Sequence, residues 1–175
     1  MPSAGSGGRH TTRARTLHKG APMPIEPGQT APDFELSDQH GQTVRLADFA
    51  GRRNVVLVFY PLAFSGVCRG ELVALREAAP DLVNDRVQLL TVSVDSMFAH
   101  RVWAEQESLE FPLLSDFWPH GGVARSYGVF DDARGVAVRA TFVIDTGGAV
   151  RWRVVNPISE ARDVDDYRKA LCELA

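Results

Sequence analysis

Apolar residues along the chain repeat with two periods, and the switches between them mark an alternating order of strands and helices. Asp33-Phe34-Glu35-Leu36 and Thr43-Val44-Arg45-Leu46 flank the turn signal His40-Gly41, which predicts a β-hairpin. Asn54 to Tyr60 is a continuous apolar run rich in Val, the pattern of a strand buried on both faces, and Val87 to Val94 is a second one. Between them Cys68, Leu72, Leu75 and Ala79 fall on one helical stripe that Pro80 ends. Ser96 to Glu107 reads as another helix, with Phe98, Val102 and Trp103 facing inward. Leu113-Leu114-Ser115 is a short strand and Gly121 to Tyr127 a short helix. Residues 139 to 144 and 149 to 155 form a hairpin across Asp145-Thr146-Gly147-Gly148. Asp163 to Leu174 closes the chain as an amphipathic helix that Asp163 can cap.

A hairpin, then β-α-β-α, then a closing hairpin and helix implies an α/β fold with a mixed central β-sheet and helices on both faces. Right-handed crossovers limit the topologies, and a thioredoxin-like fold with an N-terminal β-hairpin is the simplest that remains.

Residues 1–22 differ from the rest. They hold four basic residues (Arg9, Arg13, Arg15, Lys19) and no acid, leaving residues 23–175 with 15 basic against 22 acidic side chains, a net of −7. The segment reads as a disordered basic tail, or as a misassigned start with Met23 the true first residue. A basic arm for an anionic partner is the other reading, and the lack of interleaved aromatics weighs against it. Residues 23–175 are then one domain, large enough to bury roughly 70% of its unfolded surface without a disulfide or metal staple.

Overall composition is that of a globular protein, with 45% hydrophobic and 23% charged residues. A net charge of −3 gives no reason to expect nucleic acid as a partner. Val55 to Tyr60 falls far short of the ~20 apolar residues that span a bilayer, so no membrane is expected. Two cysteines make a poor disulfide framework, and the N-terminus has no apolar signal core; cytoplasm is the expected compartment.

Candidate chemistry centres on Pro61-Leu62-Ala63-Phe64-Ser65-Gly66-Val67-Cys68, which joins the end of a buried strand to the start of a helix. Ligands of open α/β sheets bind outside the carboxyl ends of strands. Cys68 in a first helical turn lies near unpaired N–H groups and the positive end of the dipole, which favours thiolate. A cysteine of pKa ~8.5 is only ~3% ionised at pH 7, against ~90% at pKa ~6. Ser65 can cap this helix or offer its hydroxyl to a bound oxygen. A buried structural cysteine is the plainer alternative. Glu71 occupies the position three after Cys68 and Ser65 the one three before, so no C-x-x-C dithiol exists. No Cys or His stands at metal-ligand spacing from Cys68, so no metal or other cofactor is implied.

Pro61-x-x-x-Ser65-x-x-Cys68 resembles the active-site motif of the peroxiredoxins. Ala31-Pro32-Asp33-Phe34, Phe111-Pro112-Leu113-Leu114-Ser115-Asp116 with Tyr127-Gly128-Val129, and Arg139 to Asp145 are also similar to segments of that family, in the same order. The wording around Pro61 and from Ser115 to Gly121 most resembles the AhpE-type one-cysteine peroxiredoxins of actinobacteria. The resemblance implies a thiol-dependent peroxidase. Cys68 would attack hydrogen peroxide, an organic hydroperoxide or peroxynitrite, and Arg139 would favour the thiolate and donate to the peroxide oxygens. Ser65 would hold the peroxide, Pro61 would shield the sulfenic acid, and Glu71 with Arg162 would form a supporting pair. An external thiol would recycle the enzyme: mycothiol with mycoredoxin, or thioredoxin or glutaredoxin. A homodimer or higher homo-oligomer is expected on the same ground.

Without the resemblance, Arg139 reads as a surface charge at a strand edge and Glu71 as a solvated helix residue. Cys172 reads as structural or incidental rather than resolving, and Trp118 and His120 as packing near the site or at a subunit contact. Two other functions use the same cysteine. A hydrolase or acyl transferase needs a general-base histidine beside Cys68, which nothing in the sequence places there. A peroxide sensor or holdase would use oxidised Cys68 to alter an interface.

Overall fold

The computed structural model describes residues 23–174; the tail assigned to residues 1–22 lies outside them. Strands β1 (Glu35–Ser37) and β2 (Thr43–Arg45) pair antiparallel around the expected turn. The next residues, Leu46–Phe49, wind into a 3-10 turn that the sequence pattern did not announce. Then come β3 (Asn54–Phe59), helix α1 (Gly66–Glu77) and the short α2 (Ala79–Leu82). β4 (Val87–Ser93) leads to α3 (Met97–Glu107), β5 (Leu113–Ser115) and α4 (Gly122–Ser126). A two-residue hairpin, β6 (Phe130–Asp131) and β7 (Val136–Ala137), precedes β8 (Arg139–Ile144), β9 (Val150–Asn156) and α5 (Val164–Cys172).

Seven strands form one mixed sheet in the order β2-β1-β5-β4-β3-β8-β9. β5, β4 and β3 run parallel at its centre; β1 and β8 attach antiparallel on either side. Alternate residues of β3 serve opposite faces, the consequence of a period of two. Val56 and Val58 pack with Leu72 and Leu75 of α1, Trp103 of α3 and Tyr167 of α5. Val55, Leu57 and Phe59 pack with Leu46, Ala124 and Tyr127 on the other. This is the thioredoxin-like arrangement expected, with helices on both faces. No helix among the described residues is long and apolar enough to cross a membrane.

Two details correct the periodicity. Pro80 does end α1, but it also sits in the first turn of α2, where a missing N–H costs nothing, and the buried alanine is Ala78 rather than Ala79. In α3 the buried face is His100, Trp103 and Ala104, whereas Phe98 is 65% and Val102 47% exposed. The apolar stripe misled because His100 can be buried whole. Burial lowers its pKa to about 4, so the ring is neutral. Nδ1 lies 3.1 Å from the Leu113 carbonyl, which can only accept, so Nδ1 carries the proton and Nε2 accepts from the Tyr60 hydroxyl at 3.0 Å.

Candidate active site

β3 delivers the chain to the carboxyl edge of the parallel strands, and Pro61 to Ser65 turns it into α1. Ser65 stands at the N-cap of α1 in an extended conformation, yet its hydroxyl makes no capping bond and is left for another partner. Cys68 follows in the first turn and is fully buried. β8 runs antiparallel to β3 with Ala140 opposite Phe59, which sets Arg139 beside the same edge. There its Nη1 donates to the Cys68 sulfur at 3.3 Å. The sequence alone made this a surface charge; it is 2% exposed.

Arg139 is held from two sides. Its Nε donates to the Ile158 carbonyl at 2.6 Å and Nη1 also donates to Glu71 Oε2 at 2.5 Å. Among the described residues Nη2 has no hydrogen-bond partner within the chain. Glu71, one turn along α1 from Cys68, is buried too and receives a two-pronged pair from Arg162, Nε to Oε1 and Nη2 to Oε2, each at 2.9 Å. Arg162 in turn donates through Nη1 to the carbonyls of Phe59 and Ala140, both at 2.7 Å, clamping β3 to β8 beneath the site. Burial pushes the Glu71 carboxyl up, but the hydrogen bonds and charge of Arg162, with the charge of Arg139, outweigh it and leave its pKa lowered. Two guanidiniums against one carboxylate leave a net positive charge buried beside the sulfur.

Thus Cys68, Arg139, Glu71 and Arg162 are brought into one hydrogen-bonded cluster, with Pro61 and Ser65 on the adjoining turn. The histidines among the described residues go elsewhere. His100 donates to the Leu113 carbonyl and accepts from Tyr60, with Ser93 Oγ beside it; His120 lies 2.7 Å from the Gly135 carbonyl and edge-on to Phe130; His40 is exposed beside the first hairpin. The sulfur's partner is an arginine, which cannot act as a general base, so the hydrolase reading loses its requirement. Trp118 is 80% exposed and does not pack into the site.

Cys172 is distant. Leu171 and Leu174 line a cleft with Asn54 and Val87, the first residues of β3 and β4, whereas Cys68 lies past the last residue of β3. Six residues of strand separate the two ends, about 20 Å. Sequence reasoning missed one group near the site: Ser93, Asp95 and His100, which tie the turn to β4 and α3. Its one sequence signal was the polar pair Asp95-Ser96 where a buried strand gives way to a helix.

One thiol held by a buried guanidinium, on a thioredoxin-like sheet and far from the second thiol, is the arrangement of a cysteine-based redox enzyme. The AhpC/TSA family model matches residues 27–153. Alkyl hydroperoxide reductase E of Mycobacterium tuberculosis H37Rv is 48% identical over 147 residues, covering 84% of this chain and 96% of the relative. The reduced 2-Cys peroxiredoxin of Plasmodium vivax superposes with a TM-score of 0.77 at 31% identity, over 86% of this chain and 82% of that one. Peroxidoxin BcpB of Mycobacterium tuberculosis gives a TM-score of 0.73 at 32% identity, over 86% and 96%. The chain belongs to the AhpC/TSA family. It is a peroxiredoxin, a thiol-dependent peroxidase, of the AhpE type that the sequence resembled.

Proposed function

We propose that Cys68 is the peroxidatic nucleophile of a one-cysteine cycle, with Arg139 as its electrostatic partner. The thiolate attacks the terminal oxygen of a hydroperoxide. An S–O bond forms, the O–O bond breaks, and the departing oxygen takes up a proton and leaves as water or an alcohol. The observation that carries this reading is the Arg139 Nη1 to Cys68 Sγ hydrogen bond at 3.3 Å, made by a guanidinium whose Nη2 is uncommitted. Oriented donors and a fixed positive charge stabilise the charge that moves from sulfur to oxygen. The uncapped Ser65 hydroxyl holds the peroxide, Pro61 shields the sulfenic acid, and Glu71 with Arg162 fixes the plane of Arg139.

Leu62, Phe64 and Val67, on the turn and helix start that lead to the buried sulfur, are exposed and make that stretch apolar. That favours organic hydroperoxides, with hydrogen peroxide and peroxynitrite as further substrates. Recycling needs an external thiol. It attacks the sulfenic acid, releasing water and forming a mixed disulfide, which a second thiol reduces. The likeness to a mycobacterial alkyl hydroperoxide reductase E favours mycothiol with mycoredoxin over thioredoxin or glutaredoxin. The working unit is residues 23–175, as a cytoplasmic homodimer or higher homo-oligomer. A sensor or holdase role has no observation in its favour.

The test is consumption of cumene hydroperoxide and of hydrogen peroxide by the reduced protein. With no thiol present, one equivalent disappears rapidly per Cys68. With mycothiol and mycoredoxin, consumption becomes catalytic. A protein that loses its thiol without consuming peroxide stoichiometrically would contradict the proposal.

A further inference from the structure

The turn from Pro61 to Phe64 leads from β3 into Ser65 and Cys68, yet its backbone is almost unsupported. Among the described residues it makes one hydrogen bond, from the Ala63 N–H to Asp95 Oδ2 at 2.8 Å. The next residue, Phe64, sits at φ 63°, the left-handed region that a bulky L-residue adopts only at a cost. Its ring is 51% exposed and leans on Trp103 with centroids 5.8 Å apart, a partial anchor. Something must hold the turn in this conformation, and the Asp95 carboxylate is the group in contact with it.

Asp95 is itself braced. Its Oδ2 accepts from the Ser93 hydroxyl at 2.6 Å, and its carbonyl accepts from the Ser115 hydroxyl at 2.6 Å. Ser93 Oγ also lies 2.7 Å from His100 Nε2, the buried ring that Leu113 and Tyr60 fix. The brace stands on β4, β5 and α3, so it is as rigid as the sheet edge.

Building on the peroxidase reading above, we propose that Asp95 is a positioning residue for the peroxide step. By accepting from Ala63 N–H it holds Phe64 in its left-handed conformation, and so sets Pro61 and Ser65 against Cys68. Asp95 touches neither the sulfur nor the peroxide. Its effect passes through the backbone, and what it supplies is an acceptor oxygen rather than a charge. When that acceptor is lost, Phe64 relaxes, the Ser65 hydroxyl moves, and the reacting geometry loosens. Displacements of about 1 Å at a reacting centre cost up to about 100-fold in rate.

Three variants separate these contributions: Asp95→Ala removes the acceptor, Asp95→Glu keeps the charge but displaces the oxygen, and Asp95→Asn keeps an acceptor oxygen without the charge. The rate constant of Cys68 with hydrogen peroxide, followed by stopped-flow tryptophan fluorescence, is expected to fall about 10- to 100-fold in Asp95→Ala and Asp95→Glu. Asp95→Asn is expected to restore most of it, because it keeps the oxygen that Ala63 N–H needs. Should Asp95→Ala fail to fold, Asp95→Glu carries the comparison, since Asp95 is partly exposed and can accept a longer side chain.

Hydrogen exchange at the Ala63 amide, read without any peroxide, tests the clamp apart from the chemistry. Protection is expected in wild type and Asp95→Asn, with loss in the other two. Wild-type rates in Asp95→Glu, or an Asp95→Asn as slow as Asp95→Ala, would overturn the proposal, as would an unprotected Ala63 amide in wild type.

Discussion

Cys68→Ser is expected to abolish peroxide consumption and leave the fold in place. A hydroxyl fits where the thiol was, and it can still accept from Arg139 Nη1, so the buried guanidinium keeps a partner. What disappears is the ionisable, polarisable sulfur, and with it the only nucleophile the cluster holds. Circular dichroism and the thermal midpoint should match wild type, while peroxide loss drops to the uncatalysed background. Residual turnover at anything near the wild-type rate would place the chemistry elsewhere.

Arg139→Ala is the second large effect, expected to slow the peroxide step by about 100- to 1,000-fold, the scale of losing one oriented donor at a developing charge. The loss has two parts. The sulfur loses its hydrogen bond and its nearest positive charge, and the peroxide loses the uncommitted Nη2 as a donor. Glu71 stays paired with Arg162, which limits the damage, but the Ile158 carbonyl is left without its donor and a large buried side chain leaves a gap. Arg139→Lys should recover only part of the rate, because an ammonium keeps the charge without the planar fork. Single-turnover kinetics with peroxide distinguish these outcomes, and an unchanged rate in Arg139→Ala would mean the sulfur does not depend on this guanidinium.

Much of the architecture was legible in the sequence, for physical reasons that also account for what was not. β3 is a continuous apolar run from Val55 on because central strands are covered on both faces, and β4 is buried at every position, with its Gln88, Thr91 and Ser93 hydrogen-bonded inside. β6 and β7, two residues each, are too short for any period to register. Phe98 and Val102 carried the right spacing for a buried stripe but lie outside, while His100 went in; hydrophobicity cannot foresee a histidine whose two nitrogens both find partners.

The site shows the same boundary. Cys68 and Ser65 were readable because strand, turn and helix start are local in sequence. Arg139 and Arg162 lie 68 and 91 residues along the chain from Glu71, and their burial depends on pairing that no local pattern encodes. Only the likeness to a family singled them out, and both donate to the Glu71 carboxylate. Asp95 was missed altogether, since its bond to Ala63 spans 32 residues and involves a backbone N–H that no side-chain pattern reveals.

The central claim is a one-cysteine cycle in which oxidised Cys68 waits as a sulfenic acid for an external thiol. Treating wild type and Cys172→Ala with one equivalent of peroxide, then trapping with dimedone and reading intact mass, tests it most directly. A disulfide needs Cα atoms within ~7 Å, and Cys172 lies at the end of α5 whose Leu171 and Leu174 share a cleft with Asn54, the first residue of β3, a strand's length from Cys68. Equal dimedone labelling of Cys68 in both proteins is therefore expected, with no bridged species. A wild-type protein lighter by a pair of hydrogens, with labelling seen only in Cys172→Ala, would contradict the account and make Cys172 the resolving thiol.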